Sequence, residues 1–242
     1  ETIQSMIPID HFNQERYLVM CTRNGQVVKN SLDLYSNPRK VGIKAINIAD
    51  DDELMSVVLT DGNQELLIAT RDGMAVRFKE DDVRPMGRFV GGVRGVRLEE
   101  GDAVIGMIAL RPQSMILTVC EHGYGKRTRA DEYRLTKRGG KGVINIRTTE
   151  RNGKVISVLD VMESDELIMI SQKGQTIRSA VADMRVISRA TQGVRLIDLE
   201  EDDKLTSVAR IEEDKEVEGG SSDPAGQEPE LDNNEGEGET EE

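Results

Sequence analysis

The 242-residue sequence contains no tryptophan, and its aromatic residues amount to only 3%. The hydrophobic core must therefore be built from Val, Ile, Leu and Met. No apolar run approaches the roughly eighteen residues that indicate a membrane-spanning helix, and no basic segment followed by an apolar one indicates a signal peptide. The sequence therefore predicts neither a membrane protein nor a secreted one, and we expect a cytoplasmic location.

Cysteine and histidine are also scarce. Cys21 and Cys120 lie in apolar runs, far apart and without a C-x-x-C spacing, which argues against zinc and against a disulfide framework. We expect both to be buried free thiols in a reducing compartment. His11 and His122 are the only histidines, and the acidic clusters "ADDDE" and "KEDDV" have no second set of ligands beside them. The sequence therefore predicts no catalytic site, no metal and no cofactor.

The net charge of −13 is unevenly distributed along the chain. Residues 200–242 carry a net charge of −15, whereas residues 1–199 carry +2. Residues 212–242 contain almost nothing that could be buried, so we predict a disordered acidic tail there. The stretch 126–154, in contrast, contains ten basic and three acidic residues.

Four segments of similar sequence repeat along the chain: "YLVMCTRNGQVVKN", "ELLIATRDGMAVRF", "MILTVCEHGYGKRT" and "ELIMISQKGQTIRS". Each is an apolar run, a turn containing glycine, and a second strand-like run with a cation. The turn glycines are 48, 50 and 51 residues apart: Gly25, Gly73, Gly123 and Gly174. A second glycine follows in "KVGIKAI", "VRGVRLE", "GKGVINI" and "TQGVRLI", and we interpret these four as equivalent: Gly42, Gly95, Gly142 and Gly193. Regular spacing of this kind is typical of repeat architectures.

Each unit of about fifty residues predicts four short strands. The turns between β-branched runs indicate two-residue hairpin loops, and no segment shows a sustained helical period. Four strands in about fifty residues is the size of one propeller blade. We therefore predict an all-β, propeller-like domain of four blades over residues 1–211, with little helix. The alternative is a tandem of separate small β domains, which would be hard to stabilise individually at that size.

The heptad "TKRGGKG", residues 136–142, lies between the second strand and the second glycine of the third unit. The matching loops of the other units also carry Arg or Lys, and in a propeller they would lie at equivalent points around the rim. Cations neutralise phosphate, and glycine allows close approach to backbone amides, so we predict that the rim binds double-stranded DNA through its phosphates. The predicted contacts are Arg39, Lys40, Lys44, Arg88, Arg94, Lys126, Arg127, Arg129, Lys137, Arg138, Gly139, Gly140, Lys141, Gly142, Arg189 and Arg195.

Two other interpretations of the basic loops remain open. The heptad does not match the G-x-x-x-x-G-K-[ST] phosphate loop, but a single basic loop could be a solvated turn without a partner. The whole domain could also be a propeller-type protein-interaction scaffold whose basic rim only keeps it soluble. Salt distinguishes these alternatives, because binding through many phosphates weakens steeply with ionic strength.

The heptad resembles the seven-residue box Q-[RK]-R-G-G-[RK]-G of the DNA gyrase A family and agrees with it at six of seven positions, with Thr136 in place of Gln. The segments "GYGKRT", "KGVINI", "TERNGKV" and "TQGVRLI" are also similar to the C-terminal DNA-wrapping domain of that family, and the resemblance covers residues 1–211. It implies a β-pinwheel, in which four-stranded blades exchange strands with their neighbours, and DNA bent and wrapped around the basic rim in support of supercoiling. The implied partners are the N-terminal breakage-reunion region of the same polypeptide and the ATPase subunit of gyrase, in the bacterial nucleoid.

The sequence departs from that family in two respects. The family domain usually has six blades with the box in the first, whereas this chain has four units with the match in the third. We therefore expect the last four blades of such a domain, and we interpret the chain as a fragment. Topoisomerase IV shares the pinwheel with degenerate boxes and is the alternative family.

Catalysis is not expected from this region. The family breaks DNA with a tyrosine in a separate N-terminal region, whereas the four tyrosines here all lie in the repeats: Tyr17, Tyr35, Tyr124 and Tyr133. The acidic tail resembles the tails of many gyrases. Because it is tethered close to a basic rim, we expect it to compete with DNA and inhibit wrapping; the alternative is a tail that only increases solubility.

Overall fold

The computed structural model describes residues 3–12 and 15–211, which form fifteen β-strands. In chain order these are β1 (Tyr17–Thr22), β2 (Gln26–Ser31), β3 (Leu54–Thr60), β4 (Glu65–Thr70), β5 (Met74–Lys79), β6 (Val93–Arg94), β7 (Val104–Leu110), β8 (Met115–Cys120), β9 (Tyr124–Arg129), β10 (Val143–Ile144), β11 (Val155–Val161), β12 (Glu166–Ser171), β13 (Thr176–Ala180), β14 (Val194–Arg195) and β15 (Leu205–Ile211).

Helix is confined, in the described residues, to four short 3-10 turns, one after the hairpin of each unit: Leu32–Tyr35, Glu80–Asp82, Ala130–Glu132 and Val181–Asp183. None of the described residues forms a helix that is long and apolar enough to cross a membrane. The predicted acidic tail, residues 212–242, lies outside the described residues.

Each unit begins with an antiparallel hairpin, as the alternation of β-branched residues predicts. The turn glycines are all left-handed, with φ of 81° at Gly25, 88° at Gly73, 77° at Gly123 and 89° at Gly174. In the first hairpin the Gly25 amide donates to the Thr22 carbonyl over 3.0 Å, and three residues separate the strands. The prediction of two-residue loops is therefore wrong by one residue, because a β-turn followed by a left-handed glycine makes a three-residue loop.

The strands form four antiparallel sheets, one per unit, with an exchanged strand at the outer edge of three. The spatial orders are β3-β1-β2-β6, β10-β5-β4-β7 and β11-β8-β9-β14. In each of these sheets the outermost short strand (β6, β10 or β14) comes from the following unit. The fourth sheet, β13-β12-β15, has three strands, and no described residue pairs with the outer side of β13. The all-β pinwheel is confirmed, and blades one to three have the predicted four strands.

The inner edge of every sheet is formed by the last strand of its unit. These inner strands (β3, β7, β11 and β15) contact one another in succession, so the exchanged strands and the basic loops lie at the outer rim. Val19 and Val27 of the first unit pack in one core with Leu66 and Phe78 of the second. The alternative of separate small domains is therefore wrong, because adjacent blades share a core.

The two cysteines are buried free thiols, as predicted. Burial raises the pKa of Cys120 to about 12 and raises that of Cys21 further. Both sulfurs therefore stay protonated at neutral pH and serve as small apolar core groups.

The glycine that precedes each exchanged strand enables the exchange. At Gly142 a Cβ would lie 2.1 Å from the Ala75 carbonyl oxygen, and at Gly193 it would lie 2.6 Å from that of Gly125. The equivalent glycine of the second unit is Gly92, which precedes Val93 and has φ of 80°. The sequence-based assignment of Gly95 is wrong by three residues, because "GGVRG" offers several glycines and only strand pairing selects among them.

Candidate nucleic-acid interface

The heptad of the third unit packs against the second unit through backbone hydrogen bonds. The Gly139 amide donates to the Gly95 carbonyl over 2.6 Å, and the Arg97 amide donates to the Gly140 carbonyl over 2.9 Å. Gly139 has φ of 80°, a left-handed conformation that glycine adopts without steric cost. The heptad is therefore a fixed part of the blade interface.

The fourth unit repeats this arrangement with a different sequence. The Ala190 amide donates to the Asn145 carbonyl over 3.2 Å, and the Arg147 amide donates to the Thr191 carbonyl over 2.8 Å. Ala190 is left-handed like Gly139, with φ of 48°. The shape of the loop is therefore set by its backbone bonds to the preceding unit, not by the glycines of the heptad.

The second unit shows the same loop shape. Its residue equivalent to Gly139 is Phe89, with φ of 68°, and the Asn47 amide donates to the Val90 carbonyl over 3.1 Å. A bulky residue in this conformation is strained and persists only where its surroundings impose it. Three loops thus present their side chains from one repeated backbone geometry.

The two lysines of the heptad are exposed to solvent. Lys141 pairs with Glu99 of the second unit over 2.8 Å, and its hydrogen bond lowers the pKa of the Glu99 carboxyl below its ordinary value. Lys137 borders a surface cleft that it shares with Arg84. A phosphate can reach Lys137 directly, whereas at Lys141 it must displace a carboxylate.

Arg138 and Arg189, at the third position of the loops in the third and fourth units, are half-buried and donate hydrogen bonds to backbone carbonyls. The Nε of Arg189 is buried and makes no hydrogen bond to the described residues. Arg138 Nε donates to the Asp82 carbonyl over 2.8 Å, and its Nη1 donates to the Arg94 carbonyl over 3.0 Å. In the next unit Arg189 Nη1 donates to the Ile144 carbonyl over 2.9 Å. Both guanidinium groups thus bind the backbone of an exchanged strand.

Two of the cations predicted to contact DNA lie in the interior, so the prediction is wrong for both. Lys126 is 0% exposed, and its ammonium donates to Thr128 Oγ1 over 2.7 Å and to the Ser188 carbonyl over 3.1 Å. Arg127 is 5% exposed, and its Nε donates to the Met184 carbonyl over 2.6 Å. Strand β9 is covered on both faces, which a charged run in the sequence did not indicate. Neither residue can contact a phosphate from this position.

The buried Lys126 makes stability depend on pH. Desolvation lowers the pKa of Lys126 to about 8, while an unfolded lysine has a pKa of about 10.4. Between these values the unfolded chain binds more protons, so stability rises with pH. From pH 7 to pH 10 the wild type is expected to gain about 2–3 kcal/mol relative to Lys126→Met, measured by urea unfolding. Lys137→Met, which removes an exposed lysine, should keep the wild-type pH dependence; a constant difference between wild type and Lys126→Met would contradict the expectation.

The remaining predicted cations lie at or near the surface. The exposed ones are Arg39, Lys40, Lys44, Arg94, Arg129, Lys137, Lys141 and Arg195, and Arg88 is half-buried. Arg195 pairs with Asp198 over 2.6 Å, and Arg129 pairs with Asp131 over 3.5 Å. Both ion pairs are exposed to solvent, and exposed ion pairs contribute little stability. In the part of the chain that the structure describes, no three His, Cys, Asp or Glu side chains are grouped to hold a metal ion.

Sequence reasoning missed five exposed arginines. Arg84, Arg134 and Arg185 each follow the 3-10 turn of their unit, directly after a buried residue. Arg97 and Arg147 follow the exchanged strands β6 and β10 by three residues. The signal was present, because each set recurs at the 50- or 51-residue spacing of the units.

Sheets that exchange strands and share a core, with equivalent basic loops at their outer edges, define a β-propeller-like repeat protein with a basic rim. The family model of the DNA gyrase C-terminal domain, beta-propeller, matches residues 16–61, 64–111, 114–161 and 165–212, one match for each unit. The chain belongs to this family.

Individual relatives agree with that assignment. The chain is 47% identical over 198 residues to the DNA gyrase A polypeptide of Haloquadratum walsbyi, covering 81% of this chain and 23% of the relative. It is 42% identical over 213 residues to the DNA gyrase A polypeptide of Salmonella typhimurium, covering 88% and 24%. The chain thus spans about a quarter of the length of these relatives.

Two solved structures have a similar fold. A DNA gyrase A C-terminal domain superposes with a TM-score of 0.76 at 25% identity, covering 83% of this chain and 67% of that one. The C-terminal domain of a DNA topoisomerase IV superposes with a TM-score of 0.80 at 30% identity, covering 85% and 65%.

Proposed function

We propose that the outer rim of this domain binds double-stranded DNA without sequence preference and bends it around the blades. The observation that carries the proposal is the recurrence of exposed arginines at equivalent positions of successive blades. Arg84, Arg134 and Arg185 form one row, and Arg97 with Arg147 forms another. A row of cations at a regular interval fits a polyanion with regularly spaced charges.

The chemistry of these side chains favours contacts to phosphate. They project from loops, and no α-helix is present among the described residues to enter a major groove. Contacts to phosphate position a protein on DNA and carry no sequence information directly. Binding should therefore be similar for duplexes of different sequence.

Bending requires several blades to act together. Smooth bending of 20–30 base pairs by 40–90° costs about 1–6 kcal/mol. One exposed arginine contributes too little to offset that cost, whereas equivalent contacts on consecutive blades can. The shared core between adjacent blades supports such action, since it holds the loops at fixed positions.

In a longer protein of this family, the domain would supply the DNA wrapping that supports supercoiling by DNA gyrase. We propose a non-catalytic role for it, alongside a breakage-reunion region and an ATPase subunit in the bacterial cytoplasm. Gyrase is favoured over topoisomerase IV by the two gyrase relatives at 47% and 42% identity.

A plasmid experiment tests bending around the rim. Nicked plasmid is sealed by ligase with increasing amounts of the chain, protein is removed, and topoisomers are resolved on a gel. DNA that is wrapped during sealing should show a progressive shift in mean linking number. The triple variant Arg84→Ala, Arg134→Ala, Arg185→Ala should reduce the shift. Binding without any shift, in a parallel mobility assay, would contradict wrapping.

The same experiment tests the acidic segment 212–242, which lies outside the described residues. We propose that it competes with DNA for the rim, since an acidic segment joined covalently to a basic surface is present there at a high effective concentration. A chain ending at residue 211 should then shift the linking number further at low salt. The difference should shrink as salt screens both attractions. Equal linking-number shifts for the full and the shortened chain at low salt would contradict competition and indicate a segment that only increases solubility.

A further inference from the structure

We propose that Arg138 and Arg189 are positioning residues that set the orientation of neighbouring blades, and hence the curvature of the rim. This inference rests on the proposed function and reassigns two residues that the sequence suggested as direct DNA contacts. Their guanidinium groups lie at the rim, but Arg138 donates from Nε and Nη1, and Arg189 from Nη1, to backbone carbonyls of the preceding unit.

Arg138 connects elements of three blades. It belongs to the third unit, and its Nη1 donates over 3.0 Å to the carbonyl of Arg94. Arg94 lies in β6, which comes from the second unit but pairs with β2 in the first blade. The Nε group donates over 2.8 Å to the carbonyl of Asp82, in the 3-10 turn of the second unit. A change in the angle between these blades would break at least one of the two bonds.

Arg189 repeats the Nη1 bond one blade further along, whereas its Nε makes no hydrogen bond to the described residues. It belongs to the fourth unit and donates over 2.9 Å to the carbonyl of Ile144. Ile144 lies in β10, which comes from the third unit but pairs with β5 in the second blade. Two arginines, 51 residues apart in sequence, thus make the same contact to the same position of successive exchanged strands.

The chemistry explains why arginine suits this position. A planar guanidinium holds several donors in fixed directions, so that one side chain can bind two carbonyls at a defined angle. A lysine keeps the charge but has a flexible stem and no such planar set of donors. Lys137, the preceding residue, is exposed and has the opposite character, suited to a phosphate.

Arginine-to-lysine replacement separates the two roles, because it keeps the charge and removes the geometry. We would compare the wild type with Arg138→Lys, Arg138→Ala and Lys137→Ala in two measurements. The first, without DNA, is hydrogen exchange at the amides of Gly139 and Arg97, which bond across the blade interface. Both should exchange faster in the two Arg138 variants and at the wild-type rate in Lys137→Ala.

The second measurement is DNA binding. The affinity is measured at several salt concentrations, and the bend angle is measured by energy transfer between two dyes on a labelled duplex. Lys137→Ala should lower the slope of log K against log[salt] by about 0.9, the value of one phosphate contact, and keep the bend. Arg138→Lys should keep the slope and lose part of the bend, and Arg189→Lys should do the same. The inference would be overturned if Arg138→Lys kept the wild-type exchange rates and bend angle while Arg138→Ala lowered the salt slope. That result would make Arg138 a direct phosphate contact. The exchange measurement does not depend on DNA, so a failure of the proposed function would be seen separately, as weak and salt-independent binding by the wild type.

Discussion

DNA affinity is expected to fall by about 10³- to 10⁵-fold when the salt concentration rises from 50 to 200 mM. That range corresponds to about 6–10 neutralised phosphates, each releasing counterions. Seven exposed cations of the rim would allow contacts of that order: the two rows of arginines together with Lys137 and Arg94. The measurement is fluorescence anisotropy with a labelled duplex at several salt concentrations.

The controls for this experiment come from the same rim. The triple variant of Arg84, Arg134 and Arg185 to alanine should lower the salt slope by about 2.7, because three contacts of about 0.9 each are lost. Duplexes of unrelated sequence should give the same slope as the first. A DNA affinity that does not change with salt concentration would contradict phosphate binding. It would favour the interpretation of the domain as a protein-interaction scaffold.

Gly142→Ala is expected to lower the free energy of unfolding by about 2–5 kcal/mol, the sum of a conformational and a steric cost. Gly142 has φ of 84°, and a left-handed conformation costs a residue with a Cβ about 1–2 kcal/mol. A Cβ there would also lie 2.1 Å from the Ala75 carbonyl oxygen, and overpacking of this kind typically costs about 1–3 kcal/mol. The exchanged strand β10 would have to move away from the second blade. Urea unfolding gives the value directly.

Gly140→Ala is the matched control from the same heptad. The nearest atom to a Cβ at Gly140 is the Gly142 amide nitrogen at 3.9 Å, and Gly140 is not left-handed. Its replacement should change stability by less than about 0.5 kcal/mol. If the two variants were equally stable, strand exchange would not depend on Gly142. The glycines of the heptad would then only allow DNA to approach the backbone closely.

The repeat spacing was sufficient to predict the all-β class and the four units. It was sufficient because every unit forms the same strands and the same turn. The left-handed position of that turn favours glycine, so glycines recur at a fixed interval. The buried cysteines could be predicted for a similar reason, since both lie within apolar strands. These features depend on residues close to one another in the chain.

The register of the exchanged strands and the roles of the cations were decided only by the tertiary structure. Gly92 rather than Gly95 precedes β6, because the strand must fit against a blade formed about seventy residues earlier in the chain. Lys126 and Arg127 are buried because neighbouring units cover β9, and Arg138 is engaged because a carbonyl of another unit lies within 3.0 Å. A sequence shows that a cation is present. Whether it faces water, a carbonyl or a phosphate depends on residues from other units, which no local pattern contains.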